Sequence, residues 1–168
     1  MTVRKLMILG EIGVGKSSLT RRLVLDRFET DYLPTIGVDV YPYTVPEAVT
    51  GSPFAFAVWD TDGNFGDAIF DHVYMKQASA ALIVGDLTRP ATLEAMARLA
   101  RGFAAARPGR YFSYVVNKID LLVPGETPEL PSALTQDGTH LVYTSALTGE
   151  NVKDLFHDAA RTIQRRGQ

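Results

Sequence analysis

The 168-residue sequence contains no cysteine. That absence excludes disulfides, thiolate metal sites, a catalytic thiol and cysteine-linked lipid anchors from these residues. Long apolar runs are also missing, since none approaches the roughly 20 residues that a membrane-spanning helix needs. The apolar stretch near the N-terminus ends at Gly10 and Glu11, which fits a buried strand rather than a signal peptide. We therefore expect a cytoplasmic protein.

A strong excess of charge is absent as well. The chain has 17 Lys and Arg against 19 Asp and Glu, a formal net charge of −2. This balance gives no overall electrostatic reason to expect nucleic acid or an anionic membrane as a partner. With 46% hydrophobic and 21% charged residues, the composition is that of a globular protein, and the length suits a single domain over residues 1–168.

Short apolar segments alternate with amphipathic helical patterns along the chain. The segments are bounded by turn-forming residues, which is typical of strands in a mostly parallel sheet. Pro42 fits an edge strand, and the turn formers of 46–53 bend that strand back into an antiparallel pair. The pattern predicts an α/β fold with a six-stranded, mostly parallel sheet, one antiparallel edge strand and about five helices. The predicted strands are 6–9, 38–45, 54–59, 80–84, 111–116 and 141–143.

The loop after the first predicted strand carries the strongest motif. Residues 10–17, GEIGVGKS, match the phosphate-binding pattern of two glycines four residues apart, followed by lysine and a hydroxyl residue. Glycines let backbone N–H groups face phosphate oxygens, and the helix that follows adds the positive end of its dipole. Lys16 can then reach the terminal phosphates, and the Ser17 hydroxyl can ligate Mg²⁺.

A second motif follows the predicted strand 111–116. Residues 117–120, NKID, supply an amide and a carboxylate where the base of a nucleotide would lie. A carboxylate accepts two N–H donors from the edge of guanine, so Asp120 is a candidate guanine selector. Asn and Asp are also common after strands because they favour turns, so this motif alone is weak evidence. Together with the phosphate loop it indicates nucleotide binding.

With these motifs, the chain resembles the Ras superfamily of small GTPases, in particular its Rab-like branch, over residues 3–163. The resemblance implies the P-loop NTPase small G-protein fold, with GTP or GDP and Mg²⁺ as ligands. It places the first switch at 32–39, YLPTIGVD, the second at 59–64, WDTDGN, and the last guanine-contacting loop at 144–147, TSAL.

The resemblance also assigns roles to individual residues. Mg²⁺ would be held by Ser17, Thr35 and Asp60, and hydrolysis would involve Lys16, Thr35, Gly63 and Asn64. The implied nucleotide contacts are Glu11, Ile12, Gly13, Val14, Gly15, Lys16, Ser17, Ser18, Phe28, Pro34, Thr35, Gly63, Asn117, Lys118, Asp120, Ser145, Ala146 and Leu147.

Three residues near the expected γ-phosphate depart from the family pattern. Asn64 replaces the glutamine that orients the attacking water and is one methylene shorter. Ile12 stands where Ras proteins have glycine, and its branched side chain would crowd the space that an incoming arginine finger uses. Asp62 replaces a small alanine; its carboxylate could repel the γ-phosphate, perturb Mg²⁺ or itself position water. Together they predict slow or partner-dependent hydrolysis.

Three functional classes remain open from the sequence. They are a GTP/GDP switch enzyme, a GTP-binding interaction module with negligible hydrolysis, and a small-molecule phosphotransferase, which the motif at 117–120 disfavours. Effectors and regulators would contact 28–41 and 59–74, and we expect a monomer. Phe65, Phe70 and Tyr74 predict either a hydrophobic contact surface or packing beneath the second switch. Since the sequence ends at Gln168 without a cysteine tail, we expect no prenyl anchor, as in the soluble Ras-like GTPases of prokaryotes.

Overall fold

The computed structural model describes residues 1–29, 35, 37–71 and 73–168. They form a six-stranded sheet in the order β2-β3-β1-β4-β5-β6. The β2–β3 pair is antiparallel, and every other neighbouring pair is parallel. The predicted fold class is therefore confirmed. The strands are β1 (Thr2–Gly10), β2 (Val38–Val45), β3 (Phe54–Thr61), β4 (Ala78–Asp86), β5 (Tyr111–Asn117) and β6 (Leu141–Tyr143).

Helices connect the strands and cover both faces of the sheet. The α-helices of the described chain are α1 (Lys16–Leu25), the single turn α2 (Glu47–Thr50), α3 (Pro90–Ala106) and α4 (Val152–Arg166). Pro90 occupies the first turn of α3, where its missing N–H costs nothing, and Gly167 ends α4 in a left-handed conformation. Short 3₁₀ segments lie at Gly63–Asp71, Val73–Met75, Ile119–Leu121 and Ser132–Leu134, and the first of them is interrupted by a kink at Gly66. Over the described residues, no helix has the length and apolar character needed to cross a bilayer.

Two apolar clusters hold the layers together. On one face of the sheet, α1 and α4 bury side chains such as Leu19 and Phe156 against β1, β3 and β4. On the other face, α3 buries Met96 and Phe103 against the opposite sides of β1 and β4. Every residue of β4 is buried, so this strand is the centre of the sheet.

Most strands extend beyond their predicted limits, and the added residues are mainly polar. The β1 strand begins at Thr2, and β3, β4 and β5 run on to Thr61, Asp86 and Asn117. Ladder pairing with neighbouring strands satisfies the backbone there whatever the side chain is. The polar residues added at the carboxyl ends of the strands, such as Thr61, Asp86 and Asn117, lie at the edge of the sheet where α/β proteins bind ligands.

The aromatic residues after the second switch pack onto the body of the protein. Phe65, Phe70 and Tyr74 are half-buried against the cluster beneath α3, and Phe70 lies so close to Gly102 that a Cβ there would approach its ring to 2.2 Å. The rings of Phe65 and Tyr74 are in edge contact at 5.6 Å. The buried part of these side chains thus packs as one interpretation expects, and the contact surface stays a prediction.

Candidate nucleotide-binding site

The glycine-rich loop joins β1 to α1, as its motif predicts, and two of its glycines are fixed by close contacts. A Cβ at Gly10 would lie 2.5 Å from the carbonyl oxygen of Val84 in β4. A Cβ at Gly15 would lie 2.2 Å from the Asn117 side-chain nitrogen, and Gly15 also has a φ of +102°. Only glycine fits these positions without moving β4 or Asn117.

Lys16 is buried within the loop. Its Nζ donates hydrogen bonds to the carbonyl oxygens of Gly10 at 2.9 Å and Glu11 at 2.8 Å. Burial lowers the pKa of Lys16 to about 8, and the charges of Asp60, Asp62 and Glu11 act in the opposite direction. The loop therefore holds a cation at its centre, oriented by the backbone that surrounds it.

Three oxygen-bearing side chains meet beside Lys16. The Ser17 and Thr35 hydroxyl oxygens are 2.8 Å apart, and Ser17 donates a hydrogen bond to Asp60 Oδ2. Asp60 is completely buried, and its Oδ1 has no hydrogen-bond partner among the described residues. Burial raises the pKa of this carboxyl, outweighing the hydrogen bond from Ser17 and the charge of Lys16. A buried carboxylate oxygen without a partner, next to two hydroxyls, is a donor set that fits Mg²⁺.

Asn117, at the end of β5, ties three loops together. Its side-chain N–H donates to the Val14 carbonyl at 3.0 Å, and its Oδ1 accepts from the Thr144 hydroxyl at 3.1 Å and the Ala146 N–H at 3.3 Å. Since only 1% of Asn117 is exposed, its amide acts within the protein as a brace between the phosphate loop and the loop at 144–147.

Lys118 adds a second brace through an ion pair. Its Nζ donates to the Gly13 carbonyl at 2.9 Å and lies 2.7 Å from Asp86 Oδ2. Burial by itself raises the pKa of Asp86, but hydrogen bonds from Lys118 and Thr88 and the charge of Lys118 outweigh it and leave that pKa lowered. Asp86 therefore stays ionised and fixes the lysine against the phosphate loop.

The base-recognition candidates lie at the other end of the site. Asp120 is exposed, and its Oδ1 accepts a hydrogen bond from the buried Ser145 hydroxyl at 2.7 Å. Arg22 of α1 donates to the carbonyl oxygens of Ala146 at 2.9 Å and Leu147 at 2.6 Å. These contacts hold the loop at 145–147 beside Asp120.

The three loops enclose a cavity of about 330 Å³. Most of the predicted nucleotide contacts line it. Among the described residues its lining includes Ile12, Gly13, Gly15, Lys16, Ser17, Ser18, Arg21, Phe28, Glu29, Thr35, Thr61, Asp62, Gly63, Asn64, Asn117, Lys118, Asp120, Leu121, Ala146 and Leu147.

Some predicted contacts lie behind this lining. The Val14 side chain is buried in the core, Ser145 supports Asp120 from below, and the Glu11 carboxylate pairs with Arg98 of α3 at 3.2 Å. The predicted contact Pro34 and most of the first switch fall at residues 30–34 and 36, outside the described residues.

The three departures from the family pattern come together at one end of the cavity. A Cβ at Gly63 would lie 2.5 Å from the backbone nitrogen of Ile12, so the second switch rests directly on the phosphate loop. The Asp62 N–H donates to the Gly37 carbonyl at 2.8 Å, and Asp62 Oδ1 accepts from the Asn64 N–H at 2.8 Å. Asp62 thus links the two switches through its backbone and shapes the second one through its side chain.

Sequence reasoning missed several residues of this site. Arg21, Glu29, Thr61 and Leu121 line the cavity, and Asp86 anchors Lys118. Thr61 lies within the second-switch motif at 59–64 but had no predicted contact, and no local motif marks the other four. The signal for Arg21 was its spacing of four residues from Ser17, which puts both on one face of α1.

The fold and these contacts define a P-loop nucleotide-binding protein, with the cavity at the carboxyl edge of a parallel sheet and a lysine held in a glycine-rich loop. A sequence model of the Ras family matches residues 5–165. The chain is 34% identical to the Ras-related protein RABF2a of Arabidopsis thaliana over 166 residues, covering 96% of this chain and 81% of that protein. It is 31% identical to the Ras-related protein Rab5A of Oryza sativa subsp. japonica, covering 95% and 79% of the two chains. It is 33% identical to the Ras-related protein Rab-4B of Rattus norvegicus, covering 95% and 75%.

The chain belongs to the Ras family of small GTPases, and its relatives are Rab-like. Proteins of this family bind GTP and GDP with Mg²⁺, hydrolyse GTP to GDP and phosphate, and act as switches with regulator and effector proteins. The membership sets aside the phosphotransferase alternative and confirms the expected class of switch enzyme.

Proposed function

We propose that this chain is a single-domain, cytoplasmic and monomeric GTP/GDP switch over residues 1–168, whose intrinsic hydrolysis is slow. In this proposal GTP occupies the 330 Å³ cavity, and the two switch regions contact effectors and regulators. The observation that carries the proposal is the meeting of the phosphate loop, the 117–120 loop and the 144–147 loop around one cavity, tied to one another by Asn117.

In this proposal the two ends of the cavity bind different parts of the nucleotide. At one end, Lys16 and the backbone N–H groups of the phosphate loop supply positive charge for the phosphates. At the other end, Asp120 accepts hydrogen bonds from the guanine edge, while Phe28, Ala146 and Leu147 offer apolar contact to the base. The Lys118 stem would frame the base from one side.

Ser17, Thr35 and Asp60 would hold the magnesium ion. Oδ1 of Asp60 supports this assignment, because it has no partner among the described residues and a buried carboxylate oxygen is costly unless a cation or a donor approaches it. When bound, Mg²⁺ neutralises charge on the β- and γ-phosphates. Loss of the γ-phosphate would release Thr35 and Gly63, and with them both switches.

Slow hydrolysis follows from the residues at the γ-phosphate end. Asn64 lines the cavity, but its side chain is shorter than that of glutamine by about an ångström. Its amide would therefore lie farther from the attacking water, and a displacement of that size slows a reaction substantially. Ile12 lines the same end and is 41% exposed, so its side chain occupies space that an arginine finger would need. Asp62 adds a carboxylate where the attacking water has to be positioned.

A single-turnover GTPase assay tests this proposal. The wild-type chain, Asn64→Gln, Ile12→Gly and the double variant are loaded with GTP, and phosphate release is followed after Mg²⁺ is added. We expect slow wild-type release that Asn64→Gln accelerates, with a further gain in the double variant. Fast wild-type turnover that neither substitution changes would refute the proposal of slow hydrolysis.

The magnesium assignment has a separate test. Asp60→Asn keeps the shape of the buried side chain but removes its charge, so we expect GDP release from this variant to depend much less on added Mg²⁺ than release from the wild type. An unchanged Mg²⁺ dependence would argue against Asp60 as a holder of the ion.

Size-exclusion chromatography with light scattering tests whether the protein is a monomer. A pull-down that compares a GTP analogue with GDP identifies proteins that bind the switches.

A further inference from the structure

Arg21 is a cation in the cavity that the assignments above leave without a role. It lies in α1, four residues after Ser17 and three after Ser18, and all three residues line the cavity. Residues at these spacings share one face of a helix. The guanidinium therefore belongs to the same wall as the two serines of the phosphate-binding motif.

The two lysines that line the cavity are already engaged with the protein. Lys16 donates to two carbonyl oxygens of the phosphate loop, and Lys118 pairs with Asp86. Arg21 instead pairs with Glu29, at 3.2 Å from Arg21 Nη1 to Glu29 Oε2. The side chains of Arg21 and Glu29 are 21% and 38% exposed, so this pair is open to water and is a weak contact.

Glu29 can release Arg21 without losing its own partner. Its other oxygen, Oε1, lies 3.0 Å from Arg27 Nη2. An arginine that leaves Glu29 for a phosphate exchanges a weak, shared carboxylate contact for a charge-assisted hydrogen bond to a more highly charged acceptor. The exchange leaves no carboxylate unpaired.

The charged residues around the cavity also leave a role for Arg21. Asp60 and Asp62 both lie close to Lys16, so a single lysine faces two carboxylates. Glu11 is paired with Arg98 and Asp86 with Lys118, whereas Asp62 has no described ion-pair partner. A nucleotide brings several negative charges into the cavity, and Arg21 is a cation of its lining besides Lys16, Lys118 and any bound Mg²⁺.

We infer that Arg21 is a phosphate contact of the bound guanine nucleotide, and that Glu29 holds the arginine while the phosphates are absent. This inference rests on the proposed binding of GTP and GDP in the cavity. It adds a residue of α1 to the site and links the occupancy of the cavity to the Arg21–Glu29 pair.

Titrations with fluorescently labelled GDP and a labelled non-hydrolysable GTP analogue test the inference on four proteins: wild type, Arg21→Gln, Arg21→Lys and Arg27→Gln. Arg27 is the matched control, because it pairs with the same glutamate but does not line the cavity. We expect Arg21→Gln to weaken the binding of both nucleotides by at least about fivefold, which is the loss of one charge-assisted hydrogen bond. Arg21→Lys should recover part of that loss, Arg27→Gln should bind as the wild type does, and the effect of Arg21→Gln should shrink at high salt.

A loss of less than fivefold in Arg21→Gln would overturn the inference, as would an equal loss in Arg27→Gln or no recovery in Arg21→Lys. Wild-type protein that binds neither nucleotide would instead refute the proposed function itself, before any variant is compared. The two failures are therefore distinguishable in the same experiment.

Discussion

Replacing Asp86 with asparagine should speed the release of bound nucleotide. Asp86 is completely buried at the end of β4, and its two oxygens have separate tasks. Oδ1 accepts from the Thr88 N–H at 2.8 Å and the Thr88 hydroxyl at 2.7 Å, while Oδ2 pairs with Lys118 Nζ at 2.7 Å. In Asp86→Asn the amide oxygen can keep both Thr88 bonds, but an N–H₂ group then faces the ammonium of Lys118.

The size of the effect follows from the burial of the two partners. Removing one member of a fully buried ion pair costs about 3–5 kcal/mol. The Lys118 side chain is 33% exposed, so water compensates part of this loss, and about 1–2 kcal/mol remains for the displacement of the lysine from the phosphate loop. Because about 1.4 kcal/mol corresponds to a factor of ten, we expect release of GDP to become about tenfold faster.

The assay is displacement of fluorescently labelled GDP by excess unlabelled GDP in a stopped-flow instrument. It compares wild type, Asp86→Asn, Lys118→Met and the double variant. If Asp86 acts through Lys118, Asp86→Asn should change the rate by less than about twofold in the Lys118→Met background. Equal acceleration in both backgrounds would refute the reasoning, since Asp86 would then act on the site by another route, such as the turn at Thr88.

Three further predictions concern packing, the phosphate loop and pH. Gly102→Ala should lower the free energy of unfolding by about 1–3 kcal/mol, because its Cβ meets the Phe70 ring, but should cost nothing in a Phe70→Ala chain. Gly15→Ala should weaken GDP binding about tenfold or more, because its Cβ would displace the Asn117 amide. The pKa of His157 is lowered, first by burial and then by the charge of Arg161. Below about pH 6.5 the histidine therefore takes up its proton more readily in the unfolded chain, and protonation favours unfolding. Between pH 8 and pH 5 the wild type should lose more free energy of unfolding than His157→Gln.

Each of these predictions has a control or a contrary outcome within the chain. Gly109 also has a positive φ, +75°, but a Cβ there meets nothing within 4 Å, so Gly109→Ala should leave GDP affinity unchanged. Chemical denaturation measures the effect of Gly102→Ala in the wild-type chain and in the Phe70→Ala chain. An equal loss of free energy of unfolding in both chains would contradict the packing argument. If the free energy of unfolding of wild type and His157→Gln changed with pH in parallel, the pKa of His157 would not be lowered in the folded protein, and the prediction would be wrong.

The sequence predicts the parts of this site that are contiguous in the chain. The glycine loop, the 117–120 motif and the alternation of strands and helices rest on local spacing, and a strand followed by GEIGVGKS and a helix leaves few alternatives. The strand ends were less predictable, because residues such as Asp86 and Asn117 enter β-strands only when a neighbouring strand pairs with their backbone.

Contacts between distant segments could not be predicted from spacing. Asp86 and Lys118 are 32 positions apart and meet because β4 and β5 are neighbours in the sheet, with Asp86 paired to Asn117 in register. Likewise, the packing of Phe70 depends on the absence of a side chain at Gly102 of α3. A sequence pattern identifies Phe70 as apolar but not the surface that it contacts.

The contact between Gly63 and the phosphate loop decides which substitutions can test hydrolysis cleanly. A Cβ at Gly63 would meet the Ile12 backbone nitrogen at 2.5 Å and the Glu11 carbonyl carbon at 2.8 Å, so any side chain there would push the second switch away from the loop. A variant of Gly63 therefore changes the position of the switch and its chemistry together. Ile12→Gly removes only a 41%-exposed side chain and leaves this backbone contact in place. A gain in hydrolysis from Ile12→Gly is consequently a measure of steric exclusion at the γ-phosphate end, whereas a loss from a Gly63 variant is not.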